Sequence, residues 1–231
     1  MINIRGKLDP KVRLVGNGKT PVIVIDDFSD QIDALRQIAN GYAHFSKATG
    51  GYPGQRAVLP SAYGGAIYNA LESLIKSVYG LPSDNYGRCF HQLFSLVTNA
   101  EEDLSLLQRL PHFDTDKSSY FAVMHYLGDG DFGGTGFFRH RSSSIERVTV
   151  ENKSLLTESV RREIEKSPPA PAYVQGSCDQ FDMIDSIDYQ MNRLLVYPGN
   201  LLHSGLINPA RDVSHSVLKG RLTANIFVDF S

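Results

Sequence analysis

The sequence predicts a mainly β protein with flanking helices, an α+β chain built on a double-stranded β-helix (jelly-roll) core. Two observations predict it. From Cys89 onward the chain breaks into short runs of β-branched and aromatic residues separated by turn signals. Before that point apolar residues recur at helical spacing. The 231 residues are 42% hydrophobic and 21% charged, as a packed globule requires. No linker interrupts the chain, so residues 1–231 read as one domain, with 1–85 packed on a core at 86–231.

Each element follows from local chemistry. Residues 21–28 (Pro-Val-Ile-Val-Ile-Asp-Asp-Phe) read as a buried strand, rich in β-branched residues and bounded by Pro and acids. Ser29 or Asp30 can cap a helix carrying Ile32, Leu35, Ile38, Ala39 and Tyr42 on one face. Residues 46–60, rich in Gly, Ser and Pro, read as a loop. A second helix fits 61–79, stopped by Gly80 and Pro82. Strands are then expected at 89–98, 105–112, 119–127, 135–140, 192–197, 201–207 and 221–229. Residues 141–190 stand between two of them as an insertion, with a helix around 155–166 closed by Pro168-Pro169 and then a polar loop.

Composition removes several function classes. A net charge of −2 and a pI near 6.4 give no basis for nucleic-acid binding. No apolar run is long enough to cross a bilayer, and the first residues lack the apolar core of a secretory signal. Two cysteines, Cys89 and Cys178, make no disulfide framework and are expected as reduced thiols of a cytoplasmic protein.

The chemistry centres on Pro111-His112-Phe113-Asp114. In an extended segment, side chains two residues apart share a face, so His112 and Asp114 can grip one metal ion. The candidate third ligand is His203, at a strand start beyond the Pro198-Gly199 turn. Two histidines and one carboxylate on one face of a metal leave positions open, the ligand set of non-haem Fe(II) oxygenases. Arg221 and Thr223, two apart on the last strand, can hold a carboxylate, because guanidinium offers a planar fork. Tyr126 can add a hydroxyl.

Together and in this order, these motifs resemble the iron(II)/2-oxoglutarate-dependent dioxygenases, in particular the prolyl-4-hydroxylase-like branch, and an uncharacterised bacterial family within it. The resemblance runs over about residues 109–230. It adds Tyr120-Phe121-Ala122-Val123-Met124-His125-Tyr126-Leu127 and Phe132-Gly133-Gly134-Thr135-Gly136-Phe137-Phe138 to the motifs above, and residues 22–39 look like that branch's N-terminal element. It implies Fe(II) held by His112, Asp114 and His203, with no catalytic side chain beyond the metal centre. It also implies 2-oxoglutarate as co-substrate, its far carboxylate paired by Arg221 with Thr223 and Tyr126. O₂ would be consumed, succinate and CO₂ released, and an unidentified protein side chain or small molecule hydroxylated.

There are departures. His203 and Arg221 are 221 − 203 = 18 residues apart, longer than the family's usual gap, and the turn between them makes Arg211 a rival anchor. The 141–190 insertion has no clear counterpart, so substrate preference does not carry over. Asp116 lies in phase with Asp114, but the His-x-Asp spacing favours Asp114. His125 is expected to face away from the site, while His140 is a candidate substrate contact. Gly128-Asp129-Gly130-Asp131-Phe132-Gly133 matches a phosphate-binding fingerprint by letter, but no helix follows and its acids repel phosphate. The segment around Tyr42, the run from Tyr52 to Arg56, and the insertion are candidates for the mouth of the site. The alternative function is a cupin-like or non-catalytic metal-binding jelly roll. Substrate and oligomeric state are not legible.

Overall fold

The computed structural model describes residues 4–230. In chain order the elements are β1 (Pro10–Val15), β2 (Thr20–Ile25), α1 (Ile32–Gly41), β3 (Ser46–Lys47), β4 (Gly54–Val58), α2 (Ser61–Tyr79) and β5 (Gly87–Val97). Then come β6 (Tyr120–Tyr126), β7 (Thr135–His140), α3 (Lys153–Lys166), β8 (Phe181–Ile187), β9 (Leu194–Pro198), β10 (His203–Gly205), α4 (Pro209–Asp212) and β11 (Leu222–Phe230). The strands form two antiparallel sheets. The larger runs β1-β2-β9-β6-β11-β5-β4-β3 and the smaller β10-β7-β8. A lone bridge between His112 and His203 extends the smaller sheet beyond β10.

Strand alternation sends successive residues to opposite layers. Phe121 and Val123 of β6 point at the helices, joining Leu35 and Ala39 of α1 and Tyr63, Ile67, Leu71 and Ile75 of α2 in one core. Ala122 and Tyr126 point the other way, into a second core shared with Leu195 and Tyr197 of β9, Phe137 of β7 and Ile187 of β8. The smaller sheet therefore lies across one face of the larger, and the helices cover the other. This is the expected jelly roll. The central strands β5-β11-β6-β9 face β8-β7-β10 and the His112 bridge. α2 occupies the expected span and ends on Gly80, whose left-handed φ of 64° suits a residue without Cβ.

Several elements differ from expectation. Residues 105–112 are not a strand: Leu106–Arg109 form a 3₁₀ turn, closed by a reciprocal capping box between Ser105 and Gln108. That local capping outcompetes pairing, and the extended chain resumes only at the His112 bridge. The expected loop at 46–60 contains β3 and β4. Gly54 is what lets β4 approach β5, since a Cβ there would lie 2.1 Å from the Leu96 carbonyl oxygen. β1 has an almost wholly exposed pattern, anchored by Arg13 to Asp185 at 2.6 Å. β8 lies where a polar loop was expected. Its acids mask the pattern, because Asp182 pairs with Arg141 and Asp185 with Arg13 of β1. Tyr42 falls just beyond α1 and is 80% exposed. Among the described residues, no helix is long and apolar enough to cross a membrane.

Candidate metal centre

The His112–Asp114 segment is fastened by backbone bonds. The His112 N–H donates to the His203 carbonyl (2.9 Å), and the His203 N–H donates back to the His112 carbonyl (2.8 Å). The Asp114 N–H donates to the Gly199 carbonyl at 2.7 Å. A Cβ on Gly199 would press on the Tyr120 ring at 2.8 Å, so the ring packs directly on this backbone. The segment is thus extended, and His112 and Asp114 face His203 together. One ligand atom from each of the three lies within 4.8 Å of the others. The imidazole centroids of His112 and His203 are 4.4 Å apart, and His203 Nε2 is 3.8 Å from an Asp114 carboxylate oxygen.

The tautomer of His203 follows from its surroundings. Its Nδ1 lies 2.8 Å from the Leu201 carbonyl oxygen. A carbonyl can only accept, so Nδ1 carries the proton and Nε2 presents its lone pair toward Asp114. Burial lowers the pKa of both imidazoles to about 4, with their mutual proximity adding to the effect at His112. At neutral pH both are neutral, the form that binds metal. Burial raises the Asp114 carboxyl, against the pull of His112 and Arg56. His112 and Asp114 line a cavity and are exposed to the water in it. His203 behind them is 5% exposed. Among the described residues these are the only three that cluster as a metal-ligand set.

The cavity encloses about 820 Å³ and is walled by the inner face of the larger sheet. Arg221 and Thr223 line it with Met124, Thr135 and Asn225. Arg221 is 3% exposed. Its Nε donates to the Gly133 carbonyl (2.7 Å) and its Nη2 to the Gly134 carbonyl (3.3 Å). Those two glycines are required where they stand, since a Cβ on Gly133 would sit 1.5 Å from the Leu206 carbonyl oxygen. The Tyr126 and Tyr189 rings lie 5.5 Å from the guanidinium carbon. Arg221 forms no ion pair with any described residue. It is a buried cation, oriented by neutral carbonyls and aromatic faces, on the wall of a cavity.

The remaining candidates sort plainly. Tyr126 turns its ring face to the Arg221 guanidinium and does not line the cavity. Its hydroxyl is engaged by Thr135 Oγ1 at 2.7 Å. Arg211 ion-pairs with Asp131 at the surface, away from the cavity, so it is not placed to rival Arg221. α4 and its flanking turns fill the long gap between His203 and Arg221. Asp116 pairs with Lys153 at 3.0 Å and leaves Asp114 alone at the centre. His125 faces the helices and is bonded to Tyr63 and Asn192. His140 does not reach the cavity. It is buried against α3, its Nε2 3.0 Å from Glu163 and its Nδ1 2.8 Å from Ser143. Tyr52, Pro53 and Arg56 line the cavity, but Tyr42 does not. From the 141–190 insertion only Tyr173 does, because α3 packs through Leu156, Val160 and Ile164 on Phe138, Phe181 and Leu202. Asn225 was the residue to have found from the sequence, since Arg221, Thr223 and Asn225 follow the period of a strand.

Comparison with known proteins adds the following. A family model described as "Family of unknown function (DUF6445)" matches residues 7–228. The sequence has no match among curated proteins. Among solved structures, the chain resembles the non-heme alpha ketoglutarate dependent epimerase SnoN from nogalamycin biosynthesis, at 11% identity and a TM-score of 0.47, over 90% of this chain and 76% of that one. It also resembles HygX from Streptomyces hygroscopicus with nickel, 2-oxoglutarate and hygromycin B bound, at 14% identity and a TM-score of 0.46, over 91% and 83%. A third is an N-substituted L-amino acid dioxygenase from Burkholderia ambifaria AMMD, at 9% identity and a TM-score of 0.39, over 99% and 94%. At such identities and scores these likenesses assign no chemistry to this chain.

Proposed function

The chain thus belongs to that family of unknown function, and we propose from its site that it is an iron(II)- and 2-oxoglutarate-dependent dioxygenase of the hydroxylase type. The observation that carries this is one cavity lined both by His112, Asp114 and His203 and by Arg221, which has no ion pair among the described residues. The donor set fits the metal. Two neutral imidazoles and one carboxylate on one side leave coordination positions facing the cavity. When bound, iron(II) with 2-oxoglutarate and O₂ supplies oxidative decarboxylation of the co-substrate coupled to hydroxylation of a C–H bond.

The chain's own residues do the rest. His203 is held in its ligating tautomer by Leu201. Arg221 binds the far carboxylate of the co-substrate, with the Thr223 and Thr135 hydroxyls as candidate partners on the same wall. Tyr126 supports the guanidinium from beneath. The walls hold substrate and limit the access of water. The ordered motifs from His112 to Arg221 are the support for a prolyl-4-hydroxylase-like affiliation. The two unpaired thiols suit a reducing compartment, so we assign the protein to the cytoplasm. A cupin-like or non-catalytic metal-binding role would leave Arg221 without a task.

The test is an anaerobic titration of the Fe(II)-loaded protein with 2-oxoglutarate, reading the visible metal-to-ligand charge-transfer band. The wild type is expected to show the band, His112→Ala to lose it with its iron, and Arg221→Ala to need far more 2-oxoglutarate. Iron bound without a band would overturn the proposal.

A further inference from the structure

A second guanidinium in the cavity has no partner. Arg56 sits on β4, and the sheet register places it in one row with Ser95 of β5, Thr223 of β11 and Tyr126 of β6. Paired residues project to the same face, so Arg56 points into the cavity that Thr223 lines. It has no ion pair and no side-chain hydrogen bond among the described residues, and its Nε is buried without any partner. The Tyr52 ring lies against it, 4.5 Å from the guanidinium carbon. The Tyr52 hydroxyl is itself buried and unpartnered, as is Asn225 Oδ1 on the same wall. Burial costs a cation several kcal/mol unless an anion compensates it. Arg221 and the partly buried Arg56 are two cations in one cavity, neither of them in an ion pair, with Asp212 and Asp114 as the carboxylates within electrostatic reach, and the co-substrate has one free carboxylate to offer.

We propose that Arg56 binds a carboxylate of the substrate, with the Tyr52 hydroxyl as an additional donor, so that the substrate is a small organic acid. This rests on the assignment of Arg221 to 2-oxoglutarate. A planar, singly charged acceptor suits one guanidinium fork beside one phenol. Arg56 also lies within electrostatic reach of Asp114, so an acid gripped there is held beside the metal ligands. A cavity of about 820 Å³ has room for co-substrate and a small acid together.

The test is calorimetric and independent of turnover. The protein is loaded with Zn(II) in place of iron and titrated with a panel of monocarboxylic acids, each paired with its primary amide, and with inorganic phosphate. Titrations are run with and without saturating 2-oxoglutarate. Acids are expected to bind the wild type with their amides at least about tenfold weaker, and Arg56→Gln to lose about tenfold or more for the acids, the worth of one charge-assisted pair. Arg56→Lys should fall between, and 2-oxoglutarate affinity should be unchanged in both. Arg56→Gln removes no hydrogen bond or ion pair among the described residues, only the contact with the Tyr52 ring, so its melting temperature should stay close to that of the wild type. The proposal is overturned if no acid binds, if acids and amides bind alike, if Arg56→Gln leaves acid affinity intact, or if only phosphate binds. It is also overturned if Arg56→Gln weakens 2-oxoglutarate while Arg221→Ala does not, since Arg56 is then the co-substrate anchor. Wild-type protein that binds acids through Arg56 but no 2-oxoglutarate would refute the dioxygenase reading and uphold Arg56 as a carboxylate site.

Discussion

Arg221 is oriented through two nitrogens by two fixed carbonyls, and lysine has no fork with which to repeat that geometry. Arg221→Lys is therefore expected to keep the charge yet weaken 2-oxoglutarate binding by about 10- to 100-fold, the loss of a bidentate charge-assisted pair. Arg211→Ala, which breaks only a surface ion pair, should leave it unchanged. Titration of the charge-transfer band in the two variants checks both outcomes. The candidate ligands were legible because each sits in a local context the sequence displays: a His-x-Asp in an extended run, a histidine after a Pro-Gly turn, and an arginine opening the last strand. Arg56 was legible only as a residue of a Gly- and Pro-rich segment. What exposes it is the absence of a partner, and that is a property of every neighbouring chain segment at once.

At the scale of elements, the insertion lends the cavity one residue, Tyr173, while α3 packs on the outer side of the smaller sheet. The Glu163 carboxylate receives both His140 and Ser142, so it ties α3 to β7 and the turn after it. Glu163→Ala is expected to cost about 1–3 kcal/mol by leaving the buried His140 unsatisfied, with co-substrate affinity unchanged. Urea unfolding and the charge-transfer titration read the two halves of that statement. Weakened 2-oxoglutarate binding in this variant would show that α3 supports the cavity. Helices α1 and α2 were legible because their buried faces repeat at helical spacing. β4 and β8 were hidden for physical reasons. A glycine forced by close strand approach mimics a loop, and acids that meet arginines from elsewhere in the chain mimic solvated chain.

Across the whole molecule, the helical layer and the sheet are joined by a buried polar chain. Tyr63 of α2 meets His125 Nδ1 at 2.5 Å, His125 Nε2 meets Asn192 at 3.0 Å, and Asn192 bonds the backbone of Ser29. Burial lowers the His125 pKa to about 4 from 6.5, so the fold accepts only its neutral form. The sign follows: this stability is full above about pH 6.5 and is lost as pH falls toward 4, to a total of roughly 3 kcal/mol. Urea unfolding of the metal-free protein from pH 8 to pH 4 should show the decline, and His125→Gln should flatten its share of it. A slope unchanged in that variant would place the titrating groups elsewhere. The lone bridge between His112 and His203 is the outermost pairing of the smaller sheet. The amides of His112 and His203 donate to each other's carbonyls and that of Asp114 to Gly199, so all three bonds join the two segments that carry the ligands. A divalent ion would rivet this edge shut, and hydrogen–deuterium exchange at those three amides should slow together on loading while exchange in α1 stays as it was.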